Sequence, residues 1–346
     1  MYYSNEKIKS IKDIDGDIPG IIFVTSNRSA GKTTCWLKDS LENFINSGEQ
    51  FILLFRYSYE LNSCNEIFSD ILSMYNLGKE ITTISHAKGL FYELQIDGVS
   101  FGFSLSLNNV DSLKKYSPVF AKVKRVIMDE FQTESGRYLP NEIDKLQSLL
   151  MTVARGGGEQ SKFVQLVLLG NFISLMNPYF IRFGIHKRYR TDTKIMRGKG
   201  WVAEFAFNES AKNAIENNKT FKAFANDKYT ISSTTNEFLI NTESFVEKMN
   251  GKNSYIGTII FDGVKIGIRE FYEKGILYIT KKIDNSSNNI LIFNANDHNQ
   301  NTIMVEHHTI IYNILKRAFR DGFMRFEDLQ CKNIIFDILG IDLYNT

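Results

Sequence analysis

The chain has 346 residues, of which 43% are hydrophobic and 13% aromatic, and its formal net charge is +2 at pH 7. This length predicts one large and one smaller domain, with enough apolar side chains for a packed core. The small net charge excludes a generally basic surface, so any nucleic acid must bind a local patch. Three separated cysteines, no C-x-x-C pair and no apolar run of about 20 residues predict a soluble intracellular protein without a zinc site or membrane span.

The first predicted element is a buried strand at residues 21–25, which leads through a glycine-containing loop into an amphipathic helix that stops at Gly48. In a phosphate-binding loop, backbone N–H groups surround the phosphates, a lysine reaches the β and γ phosphates, and a hydroxyl binds Mg²⁺. Here Ser26 replaces the usual first glycine. An ordinary strand–turn–helix with a solvated lysine is the alternative. The predicted nucleotide-binding residues are Ser26, Asn27, Arg28, Ser29, Ala30, Gly31, Lys32, Thr33 and Thr34.

The next segments predict the outer part of a sheet. An apolar run at residues 51–55 is typical of a parallel strand covered on both faces, and a helix is expected at 60–77. Residues 81–107 alternate as an antiparallel meander with a turn at Asp97-Gly98. A basic connector follows at 114–124 and contains Lys114 and Lys115.

A hydrophobic strand then ends in Asp129 and Glu130. In phosphate-loop ATPases the first such carboxylate holds Mg²⁺ and the second polarises the attacking water. We therefore predict that Asp129 and Thr33 bind Mg²⁺ and that Glu130 and Lys32 are catalytic. The sequence places the strand at 51–55 between the two motifs, as in ATPases with a catalytic glutamate. A solvated acidic strand end is the alternative.

Two further polar residues follow the next predicted elements. A helix at 141–153 leads to Arg155, which suits an arginine finger for a neighbouring site because its guanidinium matches the transition-state oxygens. A buried strand at 163–169 leads to Asn171, which is placed to sense the γ-phosphate. A turn asparagine and a surface arginine are the alternatives.

A basic segment at residues 182–199 is the clearest candidate for phosphate contacts with nucleic acid. A solvated face is an equal alternative. A closing strand at 201–207, a helix at 209–218 and a polar linker at 232–236 come next. The candidate nucleic-acid residues are Lys187, Arg188, Arg190, Lys194, Arg197 and Lys199.

The C-terminal part predicts three antiparallel strands at 255–261, 264–270 and 275–279, followed by helices at 303–320 and 326–339. Such an α+β arrangement is compatible with an RNase H-like core. A nuclease of that kind needs clustered carboxylates on its first strand to hold two metals. Residues 255–261 contain none, so cleavage is not predicted.

Several short blocks resemble the genome-packaging ATPases, or DNA encapsidation proteins, of the Picovirinae. They recur in order along nearly the whole chain, which is more specific than a phosphate loop alone. The blocks are Gly48-Glu49-Gln50-Phe51-Ile52, Arg56-Tyr57 with Glu60-Leu61, Asp129-Glu130-Phe131, Tyr138-Leu139-Pro140-Asn141-Glu142, Asn177-Pro178-Tyr179-Phe180 and Arg325-Phe326.

This resemblance implies a pentameric ring that binds a packaging RNA and the portal of an empty capsid and pumps double-stranded DNA inward using ATP and Mg²⁺. It implies that Arg155 is a trans-acting finger, that Lys114 or Lys115 is a second trans-acting group, and that Arg28 is the arginine inside the phosphate loop. It also implies a degenerate nuclease fold in the C-terminal domain that binds nucleic acid.

The complete prediction is an α/β phosphate-loop ATPase of the additional-strand, catalytic-glutamate class with a parallel-type central sheet and a small RNase H-like α+β domain. The predicted domains are 1–207, a helical linker at 208–242, and 243–346. We expect a viral DNA translocase in the host cytoplasm that is transiently at the portal vertex and absent from the mature virion. The alternatives are a helicase, a terminase large subunit, or a non-catalytic nucleic-acid scaffold.

Overall fold

A nine-stranded sheet forms the core of the first of two units in the computed structural model, which describes residues 2–74, 80–135, 137–155, 160–239 and 245–340. Its six central strands run parallel, and antiparallel strands border them at both edges. In spatial order the strands are β3 (Ile81–His86), β4 (Phe91–Ile96), β5 (Val99–Ser106), β2 (Gln50–Phe55), β6 (Val123–Met128), β7 (Gln165–Asn171), β1 (Ile21–Ser26), β9 (Trp201–Ala206) and β8 (Ile195–Gly198).

Helices and short 3-10 turns connect these strands. The 3-10 turns are Ser58–Ser63, Leu107–Asn109 and Lys114–Phe120. The α-helices of this unit are α1 (Glu6–Ser10), α2 (Lys32–Ser47), α3 (Cys64–Met74), α4 (Val110–Leu113), α5 (Glu142–Ala154), α6 (Pro178–Arg182), α8 (Glu209–Asn217), α9 (Lys219–Lys222) and α10 (Lys228–Thr234).

The central strands are apolar because both faces of the sheet are covered. Phe23, Leu53, Ile127 and Leu168 are at most 1% exposed. This is the composition expected of parallel strands packed between layers of helices. The strands predicted at 21–25, 51–55 and 201–207 are confirmed within one residue at each end, as is the meander at 81–107 with its left-handed turn at Asp97-Gly98.

The order of the central strands corrects one prediction. The strand between β1 and β6 is β7, not β2, which lies on the far side of β6. The chain crosses from β1 to β2 and back to β6 before β7 fills the gap, so chain order does not give spatial order. Asn171, at the end of β7, therefore lies between the ends of the phosphate-loop strand and the acidic strand.

The second unit contains a six-stranded mixed sheet. Three strands form an antiparallel meander, two are added in parallel beside its first strand, and one beside its last. In spatial order they are β14 (Ile303–Met304), β13 (Ile290–Ile292), β10 (Ser254–Phe261), β11 (Val264–Phe271), β12 (Ile276–Thr280) and β15 (Met324–Phe326). Its helices are α7 (Ile185–Arg188), α11 (Ile310–Arg320) and α12 (Leu329–Leu339), with a 3-10 turn at Ala295–Asp297.

The compact units divide the chain differently from the predicted boundaries 1–207, 208–242 and 243–346. The first contains Met1–Phe183 and Arg190–Ile240, and the second contains Gly184–Tyr189 and Asn241–Thr346. Residues 208–239 belong with the nine-stranded sheet because Ala211, Ile215 and Phe238 are buried in that unit. The Phe238 ring packs edge-on against Phe172, with centroids 5.2 Å apart.

Other departures are local. The helix expected at 60–77 is a 3-10 turn followed by α3, and residues 75–79 lie outside the described residues. The linker expected at 232–236 begins inside α10, and the helix expected from residue 303 begins only at Ile310, after the short strand β14. Within the described residues, no helix is long and apolar enough to cross a membrane.

Candidate nucleotide-binding site

The loop between β1 and α2 has the backbone of an anion-binding turn. Gly31 precedes α2 in the left-handed region with φ 87°, and Ser29 has φ 58°. Glycine takes this conformation without steric cost. The first turn of α2 has no side-chain cap, so its N–H groups point toward the loop without a capping acceptor. A helix start of this kind favours a phosphate through both its N–H groups and its dipole.

Lys32 is buried at the centre of the site. It is 7% exposed, and its Nζ donates hydrogen bonds of 3.0 Å to Ser26 Oγ and to Asn171 Oδ1. Burial is the main reason that the pKa of Lys32 is lowered to about 8. Both hydrogen-bonding partners are neutral, and the nearby carboxylates of Asp129 and Glu130 offset only part of the cost of burying the ammonium. The lysine is therefore ready to receive an anion, as a phosphate-loop lysine should be.

The acidic strand end lies beside the first turn of α2. Thr33 Oγ1 donates a 2.8 Å hydrogen bond to Asp129 Oδ2, and the backbone N–H of Glu130 donates one of 2.9 Å to Asp129 Oδ1. Desolvation raises the pKa of Asp129. A hydroxyl and a carboxylate side by side are the oxygen donors that Mg²⁺ uses beside nucleotide phosphates. Glu130 is exposed and has a left-handed backbone with φ 53°.

A buried ion pair holds the backbone of that acidic turn. The guanidinium of Arg56 contacts both carboxylate oxygens of Glu142 at 3.0–3.2 Å, and donates to the carbonyls of Glu130 at 3.2 Å and Phe131 at 2.9 Å. Tyr179 Oη also donates to Glu142, at 2.6 Å. We did not predict roles for these residues. The available signal was that Arg56, Phe131, Glu142 and Tyr179 all come from the short blocks that carry the family resemblance.

Two side chains predicted to bind nucleotide have other partners. The Asn27 amide donates to the Asn208 carbonyl at 3.0 Å and accepts from the Asn208 N–H at 2.9 Å, which ties the loop to the start of α8. Arg28 forms an ion pair with Glu134, and its guanidinium lies 4.8 Å from the centre of the Tyr229 ring. The side chain of Asn27 is therefore structural, and only its backbone remains available to phosphate.

The trans-acting candidates lie together at the other end of α5. Ser117, in the 3-10 turn that begins with Lys114 and Lys115, donates to the carbonyls of Thr152 at 2.8 Å and Arg155 at 3.0 Å. Lys114, Lys115 and Arg155 are exposed. Glu142 is the first of the 13 residues of α5, and Arg155 directly follows the last, so the helix puts about 20 Å between their backbones.

The predicted basic segment is divided between the units. Lys187 and Arg188 belong to the second unit, whereas Arg190, Lys194, Arg197 and Lys199 belong to the first and are exposed. Lys187 is wrong as a nucleic-acid contact. It is 5% exposed, its Nζ lies 2.7 Å from Asp262 and 3.6 Å from Asp337, and it packs over the Phe261 ring. Within the basic run of the sequence, nothing distinguished Lys187 as a buried and paired residue.

A parallel-rich α/β sheet, a buried phosphate-loop lysine and an adjacent acidic strand end define a protein of the phosphate-loop nucleotide-binding class. The family model described as podovirus DNA encapsidation protein (Gp16) matches residues 1–341, and the chain belongs to this family. The resemblance seen in the sequence is thereby confirmed.

Individual relatives agree with this assignment. The chain is 28% identical to the DNA packaging protein of Bacillus phage B103, over 91% of this chain and 95% of that protein. It is 26% identical to the DNA packaging protein of Bacillus phage phi29, over 98% and 97% of the two. A chain of the bacteriophage phi29 viral genome packaging motor assembly shares the fold, with a TM-score of 0.63, 22% identity and 98% of both chains covered.

Proposed function

We propose that this chain is an ATP hydrolase that drives viral double-stranded DNA into an empty capsid. The observation that carries the proposal is the site itself, in which buried Lys32 has only neutral hydrogen-bonding partners next to the paired Thr33 and Asp129. Membership of the DNA encapsidation family and the names of the relatives support DNA packaging. The position of β7 between β1 and β6 supports the additional-strand, catalytic-glutamate class.

Each residue of the nucleotide site has a separate role in the proposed hydrolysis of ATP. The N–H groups of the loop and Lys32 bind the phosphates, and Asn171 fixes the lysine from the neighbouring strand. Thr33 and Asp129 are the residues that would hold Mg²⁺, which neutralises charge on the phosphate oxygens. Glu130 is exposed next to them and orients the attacking water, whose proton it accepts as the bond to the leaving phosphate oxygen breaks. Arg56 positions this glutamate through its carbonyl.

The site is completed by a neighbouring subunit. Arg155 lies one helix length from the residues that position its own Glu130, and this separation supports an action on the site of another subunit. The bond from Ser117 to the Arg155 carbonyl holds the segment with Lys114 and Lys115 next to it. We propose a pentameric homo-oligomeric ring in which Arg155 and one of these lysines act on the ATP bound to the neighbouring subunit. Arg28 is then the catalytic arginine inside the loop, released from Glu134 when phosphate binds.

The second unit is proposed to be a nuclease-inactive, RNase H-like nucleic-acid-binding domain. The support is its sheet, in which the meander β10–β11–β12 is extended by β13 and β14 in parallel beside β10. The remaining partners are the packaging RNA and the capsid portal. The protein would work in the host cytoplasm at the portal vertex of the procapsid and leave before the virion matures. Arg188, Arg190, Lys194, Arg197 and Lys199 remain the proposed nucleic-acid contacts.

Mixed rings provide the decisive experiment. Glu130→Gln removes the catalytic carboxylate from a subunit's own site, and Arg155→Ala removes the finger from its neighbour's site. We expect neither variant to hydrolyse ATP alone on procapsids with packaging RNA and linear duplex DNA. An equimolar mixture should regain turnover, because the Arg155→Ala subunits keep Glu130 and receive a finger from a Glu130→Gln neighbour.

Arg137→Ala, which removes another exposed arginine of the first unit, is the control and should hydrolyse ATP at the wild-type rate. If Arg155→Ala alone is as active as the control, the finger assignment fails. If the wild-type protein hydrolyses no ATP on procapsids, the proposal of a packaging ATPase fails as a whole.

A further inference from the structure

A buried lysine joins the end of α5 to the end of the 3-10 turn at residues 114–120. Lys162 is 7% exposed, and its Nζ donates hydrogen bonds of 2.6 Å to the carbonyls of Phe120 and Ala121. Its backbone N–H donates one of 2.9 Å to the carbonyl of Ala154. Phe120 is the last residue of the turn and Ala154 the last of α5. One residue therefore binds both ends.

The carbonyls at these two ends are groups that need donors from outside. The last carbonyls of a helix have no N–H partner within it, and a lysine can supply hydrogen bonds while its charge faces the negative end of the peptide dipoles. The end of α5 has a second donor, because the Ser117 hydroxyl lies 2.8 Å from the Thr152 carbonyl and 3.0 Å from that of Arg155. Lys162 and Ser117 together form a clamp between the turn and α5.

The clamp joins two backbones that are anchored in the core but carry exposed cations. Phe120 at the end of the turn and Val153 in the last turn of α5 are both 0% exposed. Lys114 and Lys115 begin the same turn, Arg155 directly follows α5, and all three are exposed. The clamp therefore fixes how these cations are placed relative to one another.

We propose that Lys162, together with Ser117, is a positioning residue for the trans-acting groups, and that it holds Arg155 and the segment of Lys114 and Lys115 in the geometry that the neighbouring subunit's nucleotide site requires. The inference rests on the proposed function, since it takes Arg155 to act in trans. Because Lys162 is buried, it acts through the backbone that it holds and not by contact with the neighbour. Such support matters because a displacement of about 1 Å can lower a rate by about 100-fold.

The first test removes the ammonium and keeps most of the apolar side chain. On procapsids with packaging RNA and linear duplex DNA, rings of Lys162→Met should hydrolyse ATP about 10- to 100-fold more slowly than wild type. Ser117→Ala should lower the rate less, because the bonds from Lys162 remain. Lys122→Met removes an exposed lysine directly after Ala121 and is the control, which should keep the wild-type rate.

Mixed rings distinguish a defect in trans from damage to the variant's own site. An equimolar mixture of Lys162→Met with Glu130→Gln should regain turnover, because the Lys162→Met subunits keep Glu130 and receive a positioned Arg155 from their neighbours. A mixture with Arg155→Ala should show no gain, since neither kind of subunit then supplies a positioned arginine. A variant damaged in its own site would give the opposite pattern, and a misfolded one would be rescued by neither partner.

A wild-type rate for Lys162→Met alone, or rescue by Arg155→Ala instead of Glu130→Gln, would overturn the inference and leave the proposed function intact. If Lys162→Met does not join rings, Ser117→Ala must show the same pattern of rescue, and its failure to do so refutes the clamp. If Arg155→Ala is itself as active as wild type, the trans action of Arg155 fails, and that part of the proposed function fails with it.

Discussion

Replacing Arg56 by alanine should destabilise the first unit more than any exposed arginine would. The guanidinium is 7% exposed and donates five hydrogen bonds, three to Glu142 and one each to the carbonyls of Glu130 and Phe131. Its removal leaves the Glu142 carboxylate buried, with the Tyr179 hydroxyl and the Leu139 N–H as its remaining hydrogen-bond donors among the described residues. Removing one partner of a buried ion pair typically costs about 3–5 kcal/mol. We expect a loss of that size in the free energy of unfolding.

Urea unfolding followed by tryptophan fluorescence isolates this effect. The chain has two tryptophans, Trp36 and Trp201, and both lie in the first unit, so the signal does not report the second. A double-mutant cycle with Glu142→Gln completes the test. Because the glutamine removes the uncompensated charge, Arg56→Ala with Glu142→Gln should lose about 1–3 kcal/mol less than the sum of the single losses.

The control for this cycle is Arg137→Ala, which removes an exposed guanidinium from the same unit. If the urea midpoint of Arg56→Ala equals that of the control, the stabilising role of the Arg56–Glu142 ion pair is refuted. Strictly additive losses in the double mutant would refute it too, since they would show that Arg56 and Glu142 do not interact.

Three further substitutions test separate contacts. Gly170→Ala should lower the stability of the first unit by about 1–3 kcal/mol in the same urea assay, because the new Cβ would lie 2.8 Å from the Phe131 ring. Unchanged unfolding would show that the ring moves aside without cost. Lys187→Met should lower the melting temperature of the second unit, measured by circular dichroism, because Asp262 loses its 2.7 Å partner. The same substitution should leave the salt dependence of DNA binding unchanged. A shallower salt dependence would show that Lys187 contacts phosphate after all. Backbone N–H groups, first that of Asp17 and then that of Gly200, lower the pKa of the Asp13 carboxyl. The contribution of Asp13 to stability is therefore present above about pH 4 and is lost as the pH falls through the lowered pKa. Asp13→Asn should make stability fall less steeply at acidic pH, and an unchanged fall would contradict this.

Local patterns in the sequence were sufficient for the elements that form the nucleotide site. An apolar strand, a glycine turn and an amphipathic helix set β1, the loop and α2, because each is determined by neighbouring residues. The acids at the end of β6 were likewise recognisable from their position after a buried strand. The structure brings Lys32, Thr33, Asp129 and Asn171 together, as those patterns predicted.

What the sequence did not reveal depends on contacts between distant residues. The place of β7 between β1 and β6 is a matter of strand order, which chain order leaves open. Arg56 and Glu142 are 86 positions apart, and nothing local to either indicates that both are buried. Lys187 stands in a basic run that resembles a solvated face, but its environment is set by Asp262 and Asp337 from other elements. The strands β13, β14 and β15 have two or three residues each, too few to show a period.

Within one subunit, α5 connects the turn that carries the proposed catalytic glutamate to the arginine proposed to act on the next site. At its start, Glu142 and Arg56 hold the carbonyl of the glutamate that serves the subunit's own site. At its end, about 20 Å away, Ser117 holds the carbonyl of Arg155. Leu146, Leu149 and Val153 of this helix are buried in the first unit. In the proposed ring, α5 would therefore be the element that joins the turn of Glu130 to the segment of Arg155 within one subunit.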